Sequence, residues 1–260
     1  MRLSASRLKT YLTCPRQFRY RYVDEMPAVP SGPLVFGQTM HATLRWLHES
    51  RIVSGALPDT GSAMRVFCRL WHEALLQSEP LFKPGTSADD CVASARRMLA
   101  IHLKFSECSP PPLLLEFPFE IAVGEHVLFG ILDRVDESGG GLLVTDYKSG
   151  NRKPSPRDAQ SDLPLTVYAY AVQTMFGVPV ARVAFHHLRD GVDICGTRSE
   201  DDFRHLTREV VPTVAKGVAR ERFAPKPGFW CRMCDFRELC QAEGLAETNK
   251  GEERWPTPSG

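Results

Sequence analysis

No stretch of this chain is apolar enough to span a bilayer, and its opening residues lack the apolar run of an export signal. The first fifteen residues, MRLSASRLKTYLTCP, alternate polar and apolar types. These absences argue against a membrane partner and place the chain in a reducing cytoplasm. A charge imbalance is missing too: formal net charge is +1, with 24% charged and 43% hydrophobic residues. The chain is therefore not broadly basic, so any hold on nucleic acid rests on where cations concentrate. No internal repeat and no base-reading module is present, which argues against sequence-specific recognition. What remains is ordinary globular composition, long enough at 260 residues for one large α/β domain or two small ones.

Eight cysteines in such a chain read as free thiols plus a metal site rather than a disulfide framework. Cys68, Cys91, Cys108 and Cys195 are scattered and suit small buried positions. Cys231, Cys234 and Cys240 are clustered, and a C-x-x-C pair wraps one centre well. A closed site needs a fourth ligand. Cys14 qualifies, sitting at a bend before Pro15. Four thiolates suit Zn²⁺, and they suit an iron–sulfur centre as well.

Periodicity predicts a helix over residues 4–22 with Ser4 as N-cap and a break at Pro15. A loop over 27–35 precedes a helix over 36–52, and helices interrupted near 58–61 and 83–85 continue to about 108. Pro110, Pro111 and Pro112 end them. LLLEFPFEIAV, VLFGILDRVDE and GLLVTDYKS then read as an antiparallel meander. A helix over 160–177, a strand over 181–188 and a helix over 200–221 follow. The loop 223–230 leads to the cysteine cluster, and a tail from 241 reads as disordered.

The chemistry lies in the meander. Asp146 and Lys148 are two apart in a strand, so both point to one face while Tyr147 points to the other. The hairpin can carry Asp133 across from Asp146. Two carboxylates and a lysine on one sheet face suit Mg²⁺ or Mn²⁺. The same triplet also occurs as a plain surface ion pair. Yet Asp146 follows Leu142-Leu143-Val144, and apolar strands rarely carry charge without a use. Asp136, three residues beyond Asp133, falls on the opposite face and is expected to be solvated or outside the ligand shell.

Taken in order, these elements resemble the PD-(D/E)XK nuclease superfamily, in particular its RecB-type branch. They are Gly37…His41 on a helix, Glu116 on a strand, Gly130-Ile131-Leu132-Asp133-Arg134-Val135-Asp136, Thr145-Asp146-Tyr147-Lys148-Ser149-Gly150, and the cysteines. The resemblance spans roughly residues 4–241. It implies a restriction-endonuclease-like mixed α/β sheet flanked by helices, a single domain over 1–241 with a helical insertion at 53–108, a cysteine segment at 223–241 and a tail at 242–260. It implies His41, Asp133, Asp146 and the Tyr147 backbone carbonyl as metal ligands, Lys148 as the catalytic lysine, and Glu116 in support. It also implies a 4Fe-4S cluster on Cys14, Cys231, Cys234 and Cys240 that staples the first helix to the last segment. The family carries a Gln followed four residues later by Tyr. Tyr168 fits, but Pro164 stands at the Gln position, with Gln160 one turn earlier.

Candidate DNA contacts are Arg16 and Arg19 in the basic, aromatic first helix, Arg152 and Lys153 just past Lys148, and Gln160 and Tyr168. The expected function is a Mg²⁺- or Mn²⁺-dependent deoxyribonuclease, acting as an exonuclease on single-stranded or frayed DNA in recombinational repair. Two alternatives stand beside it. One is a non-catalytic iron–sulfur module that binds DNA ends beside a helicase. The other is a nuclease working with CRISPR-adaptation proteins.

Overall fold

A computed structural model describes residues 1–82 and 85–245. The expected tail beyond residue 245 lies outside the described residues. The chain parts into two compact units, one of Met1–Ser6 with Val29–Pro212, the other of Arg7–Ala28 with the described residues from Thr213 onward.

The first unit is built on a six-stranded mixed sheet flanked by helices. Its long strand β3 (His126–Ser138) pairs antiparallel with β2 (Leu114–Val123) along one edge. Along the other, β1 (Arg2–Ser4) runs parallel to its start and β4 (Gly141–Lys148) antiparallel to its end. β4 pairs in parallel with β5 (Val180–His187), and β5 pairs antiparallel with β6 (Val192–Gly196). The meander is thus present as expected. β1 and β6 were not foreseen, because three and five residues are too short to show a period.

Local chemistry sets the helix boundaries. Helix α3 (Gly32–Ser54) starts four residues before the expected position, because Ser31 accepts from the Leu34 amide and Pro33 suits the first turn. It ends at Gly55 in a left-handed conformation. α4 (Thr60–Ser78) and α5 (Ala88–Glu107) pack with α3, and α5 opens on a capping box of Ser87 and Asp90. Phe36, Met40 and Leu44 of α3, Phe67 and Trp71 of α4 and Leu99 of α5 share one core with Tyr147 of β4.

The expected helix over 160–177 is two helices, α6 (Pro156–Ser161) and α7 (Leu163–Phe176). Asp162 caps α7 by accepting from the Leu165 amide, and Pro164 sits in its first turn, where it lacks only an amide that has no partner anyway. Pro164 is therefore a helix start, which a search for internal breakers overlooks. The helix expected over 200–221 is α8 (Glu200–His205), a π-helical turn at Leu206–Val210, then α9 (Val211–Ala219).

The helix expected over 4–22 divides at Cys14 into α1 (Ala5–Thr13) and α2 (Pro15–Tyr22), with Pro15 restarting it. Ser4 closes β1 and immediately precedes α1. In the second unit a 3₁₀ turn at Phe229–Met233 and α10 (Arg237–Ala242) carry the cysteine cluster. Tyr11, Phe18 and Phe223 form its aromatic core, with Phe18 and Phe223 stacked at 6.4 Å. Tyr11 also donates to the Arg222 carbonyl at 2.8 Å. Gly217 leaves the room this ring needs, since a Cβ there would meet the Tyr11 hydroxyl at 2.0 Å.

Candidate active site and cysteine cluster

The sheet register sorts charged residues onto two faces. Arg134 pairs with Thr145, so the next residues outward, Asp133 and Asp146, share the opposite face. Lys148 lies two residues along, and its Nζ meets Asp146 Oδ2 at 2.5 Å. The lysine also lies 4.9 Å over the Phe185 ring. Burial holds the Asp146 carboxyl up at about 6, and Lys148 opposes that shift. Burial lowers Lys148, but Asp146 outweighs it and the ammonium titrates above its ordinary value.

His41 reaches the site from α3. Its Nδ1 lies 3.5 Å from both Glu116 Oε1 and Asp133 Oδ1. One donor atom from each of these three residues falls within 4.8 Å of the others. Gly37, one turn earlier, lets the helix come close, because a Cβ there would already sit 3.4 Å from Ser149 Oγ.

Backbone groups of Tyr147 hold two of the trio. Its amide donates to Asp133 Oδ2 at 2.9 Å, and its carbonyl faces His41 Nε2 at 3.2 Å. An Nε2–H bonded to that carbonyl leaves Nδ1 free to ligate, the usual way an imidazole ligand is oriented. The Tyr147 carbonyl thus faces the histidine and fixes its ring.

Glu116 reaches His41 through a distorted strand. Its φ is +42°, a left-handed backbone that an L-residue rarely adopts. The ladder is regular on both sides, Leu115 with Arg134 and Phe117 with Leu132, and breaks at Glu116 alone. Glu116 Oε1 is buried with no hydrogen-bond partner among the described residues. Burial would lower the His41 pKa, but the Asp133 and Glu116 carboxylates outweigh it and raise it to about 10. The trio calls for a cation, and its donors, two hard oxygens and an imidazole nitrogen, suit a divalent ion.

The sheet's other face corrects the reading of Asp136. It is not solvated. It is 8% exposed and takes both forks of the Arg134 guanidinium at 2.7 Å. Arg134 Nη1 lies 3.3 Å from His48 Nε2. From there a buried chain runs His48 to His102 at 2.9 Å, His102 to His186 at 3.2 Å, and His186 to Asp193 at 2.6 Å. Burial holds the His48 imidazole down at about 3 and that of His102 well below its ordinary value. These histidines are 54 and 84 residues apart, so no local pattern announces them. The one sequence cue is that His102 and His186 sit in apolar runs.

The other candidates are placed as follows. Burial, then the carboxylates of Asp146, Asp133, Asp162 and Glu116, push the Tyr168 hydroxyl upward. Gln160 commits its side-chain amide to both backbone groups of Thr197, at 3.1 Å each. Arg152 pairs with Asp158, and Lys153 with Asp190. In the second unit Arg16 pairs with Glu243, and Arg19 with Asp24.

Cys14, Cys231, Cys234 and Cys240 line one cavity in the second unit. The Lys226 amide points at Cys14 Sγ at 3.5 Å. Burial raises the Cys234 and Cys240 thiols, and each is raised further by its cysteine neighbours.

Fold and site define a class: a mixed sheet whose central strands gather acids, an imidazole and a lysine for hard-cation chemistry. The chain belongs to the PD-(D/E)XK nuclease superfamily, whose description matches residues 2–241. The superfamily makes it a metal-dependent nuclease. The Gene 69 protein of Mycobacterium phage L5 is 26% identical to it across 91% of this chain and 95% of that one. The Gene 69 protein of Mycobacterium phage D29 is 32% identical across 48% and 47%. An ATP-dependent helicase/nuclease subunit from Moorella thermoacetica is 38% identical over 77 residues, 29% of this chain and 5% of that protein. Among the described residues no helix is long and apolar enough to cross a membrane.

Proposed function

We propose that this protein is a Mg²⁺- or Mn²⁺-dependent deoxyribonuclease that digests single-stranded or frayed DNA from its ends. The observation that carries this reading is the trio of His41, Glu116 and Asp133 beside the Asp146–Lys148 pair. His41, Glu116, Asp133 and Asp146 would hold the ion. When bound, the ion supplies Lewis-acid charge against the scissile phosphate. Tyr147 keeps His41 and Asp133 in place through its carbonyl and amide. Asp146 holds the Lys148 ammonium at the strand end, where it can orient a water or meet charge developing on the phosphoryl oxygens. Likeness to helicase/nuclease proteins favours recombinational repair beside a helicase over CRISPR adaptation.

The cysteine cavity would hold a 4Fe-4S cluster: Cys14, Cys231, Cys234 and Cys240 line it together, the four thiolates such a cluster takes. The amide directed at Cys14 also suits a sulfur ligand of such a cluster.

The test is digestion of end-labelled single-stranded DNA with Mn²⁺ or Mg²⁺, beside Asp133→Ala and Lys148→Ala. Shortening from the labelled end by wild type alone is the expected result. Digestion that survives both substitutions sinks the site. Anaerobically purified protein should be brown with stoichiometric iron and sulfide, and colourless zinc protein would overturn the cluster.

A further inference from the structure

His41 and Glu116 of the trio also line an open groove of about 480 Å³, which extends past them to residues with no part in holding the ion. One face of α3 forms its wall. Leu34, Gln38, His41 and Arg45 recur at helical spacing, so they make a single stripe roughly 16 Å long. His41 and Glu116 lie in the middle of its lining. The stripe is chemically graded. On one side of His41, Arg45 carries positive charge. On the other, Gln38 is exposed with no side-chain partner among the described residues, and Leu34 beside Pro33 is an apolar surface 53% exposed to solvent.

Neither end is needed by the fold. Leu34 contributes nothing to the core, which takes Val35, Phe36 and Met40 from the adjoining positions of the same helix. Arg45 meets Glu49 at 2.7 Å, but both side chains are half exposed, so exchanging that pair for another anion costs little. Arg45 lines the same groove as His41 and Glu116, which places it beside the ion-binding trio.

We propose that this stripe is the track for a single DNA strand entering the site, a reading that rests on the nuclease assignment above. Arg45 takes a backbone phosphate next to the scissile one, Gln38 meets a sugar or base edge, and Pro33 with Leu34 packs on a base face. An apolar wall of this kind has access to a base only when the base is unpaired. The track therefore prefers single strands to duplex, and its grading gives the strand one orientation past His41.

The test compares full-length wild type with Arg45→Ala, Arg45→Lys and Leu34→Ser, and with Arg65→Ala as a distant control. Cleavage of a labelled oligothymidylate and of a matching duplex is measured in Mn²⁺ across a salt series. Arg45→Ala should raise KM about tenfold, the size of one charge-assisted contact, with kcat nearly unchanged. It should also flatten the logarithmic salt dependence by about 0.7, the share of one single-strand phosphate. Arg45→Lys should restore most of both. Leu34→Ser should weaken the single strand and leave the duplex unaffected. Unchanged KM and salt slope in Arg45→Ala, with wild type active, would overturn the track alone. Fluorescence anisotropy with the oligonucleotide keeps the two ideas separable. Wild-type binding that Arg45→Ala weakens, without cleavage by any variant, supports the track and removes the nuclease reading. No binding by wild type overturns both.

Discussion

Two faces of one sheet solve the same problem in opposite ways. One carries buried charge on β3 and the other on β3 and β4, and buried charge is costly unless it is partnered. On the face of Arg134, Asp136 and the three histidines, the groups partner one another and end at Asp193. On the face of Asp133 and Asp146, carboxylates converge on His41, and Glu116 Oε1 is left without a hydrogen bond. The first arrangement is closed in its charges, although the uncharged His48 Nδ1 and Tyr147 hydroxyl lack a hydrogen bond among the described residues, and the second offers its donors to a cation. The two are one residue apart in sequence: Arg134 follows Asp133, and Tyr147 separates Asp146 from Lys148. The closed face is thus placed to hold the open one in position, because Arg134 of β3 meets His48 of α3, the helix that also carries His41.

Breaking the closed face should have the largest effect. Arg134→Ala strands Asp136 in the interior and should cost about 3–5 kcal/mol in a denaturant titration. Replacing the pair together, with Arg134→Met and Asp136→Leu, should cost far less, because no charge is then left alone. If that double variant keeps its stability but loses Mn²⁺ affinity, the network is there to position α3 and His41 against the sheet rather than for stability.

On the open face, Lys148→Ala should cut the cleavage rate on the order of 10²- to 10³-fold. A variant that retains wild-type rates would show that the lysine is only an ion-pair partner.

The next effect is a pH dependence. Without metal, the His41 pKa is raised from an ordinary 6.5 to about 10 by the carboxylates beside it. A raised cationic pKa adds stability that is complete below 6.5 and is lost as pH rises through 10. In EDTA, wild type should exceed His41→Asn in melting temperature by a margin that is greatest near pH 6 and closes toward pH 10. Saturating Mn²⁺ should abolish that slope, since the ion replaces the proton. A margin that stays constant with pH would contradict the coupling.

The smallest effect concerns Glu116. Glycine accepts a positive φ without strain, so Glu116→Gly should raise stability by about 1 kcal/mol while lowering activity. Lower stability would mean that the carboxylate holds the strand rather than the reverse.

Much of this was legible in the order of residues, and the reasons differ by element. Asp146 and Lys148 could be placed on one face because strand geometry has a period of two. The meander was legible from its turns, and the break at Cys14 from Pro15. His41 was legible only through resemblance, since a helix histidine has no period to betray it. The rank of Glu116 was not legible. It depends on one dihedral angle, and nothing in Leu-Glu-Phe announces a left-handed residue in mid-strand. The partners of Asp136 were hidden for a similar reason: its phase was read correctly, but what lay on that face depended on histidines far away in sequence. The division of residues 160–177 was missed because Pro164 opens a helix as readily as it breaks one.

The kink at Glu116 bears on what selection has kept. One base change turns either glutamate codon into a glycine codon, so relief from the strain lies a single mutation away. A strand kept only for its pairing would gain by taking that step. A lineage that retains glutamate in a left-handed conformation is paying for the carboxylate, and substitutions at position 116 among relatives would show where the ion has ceased to matter.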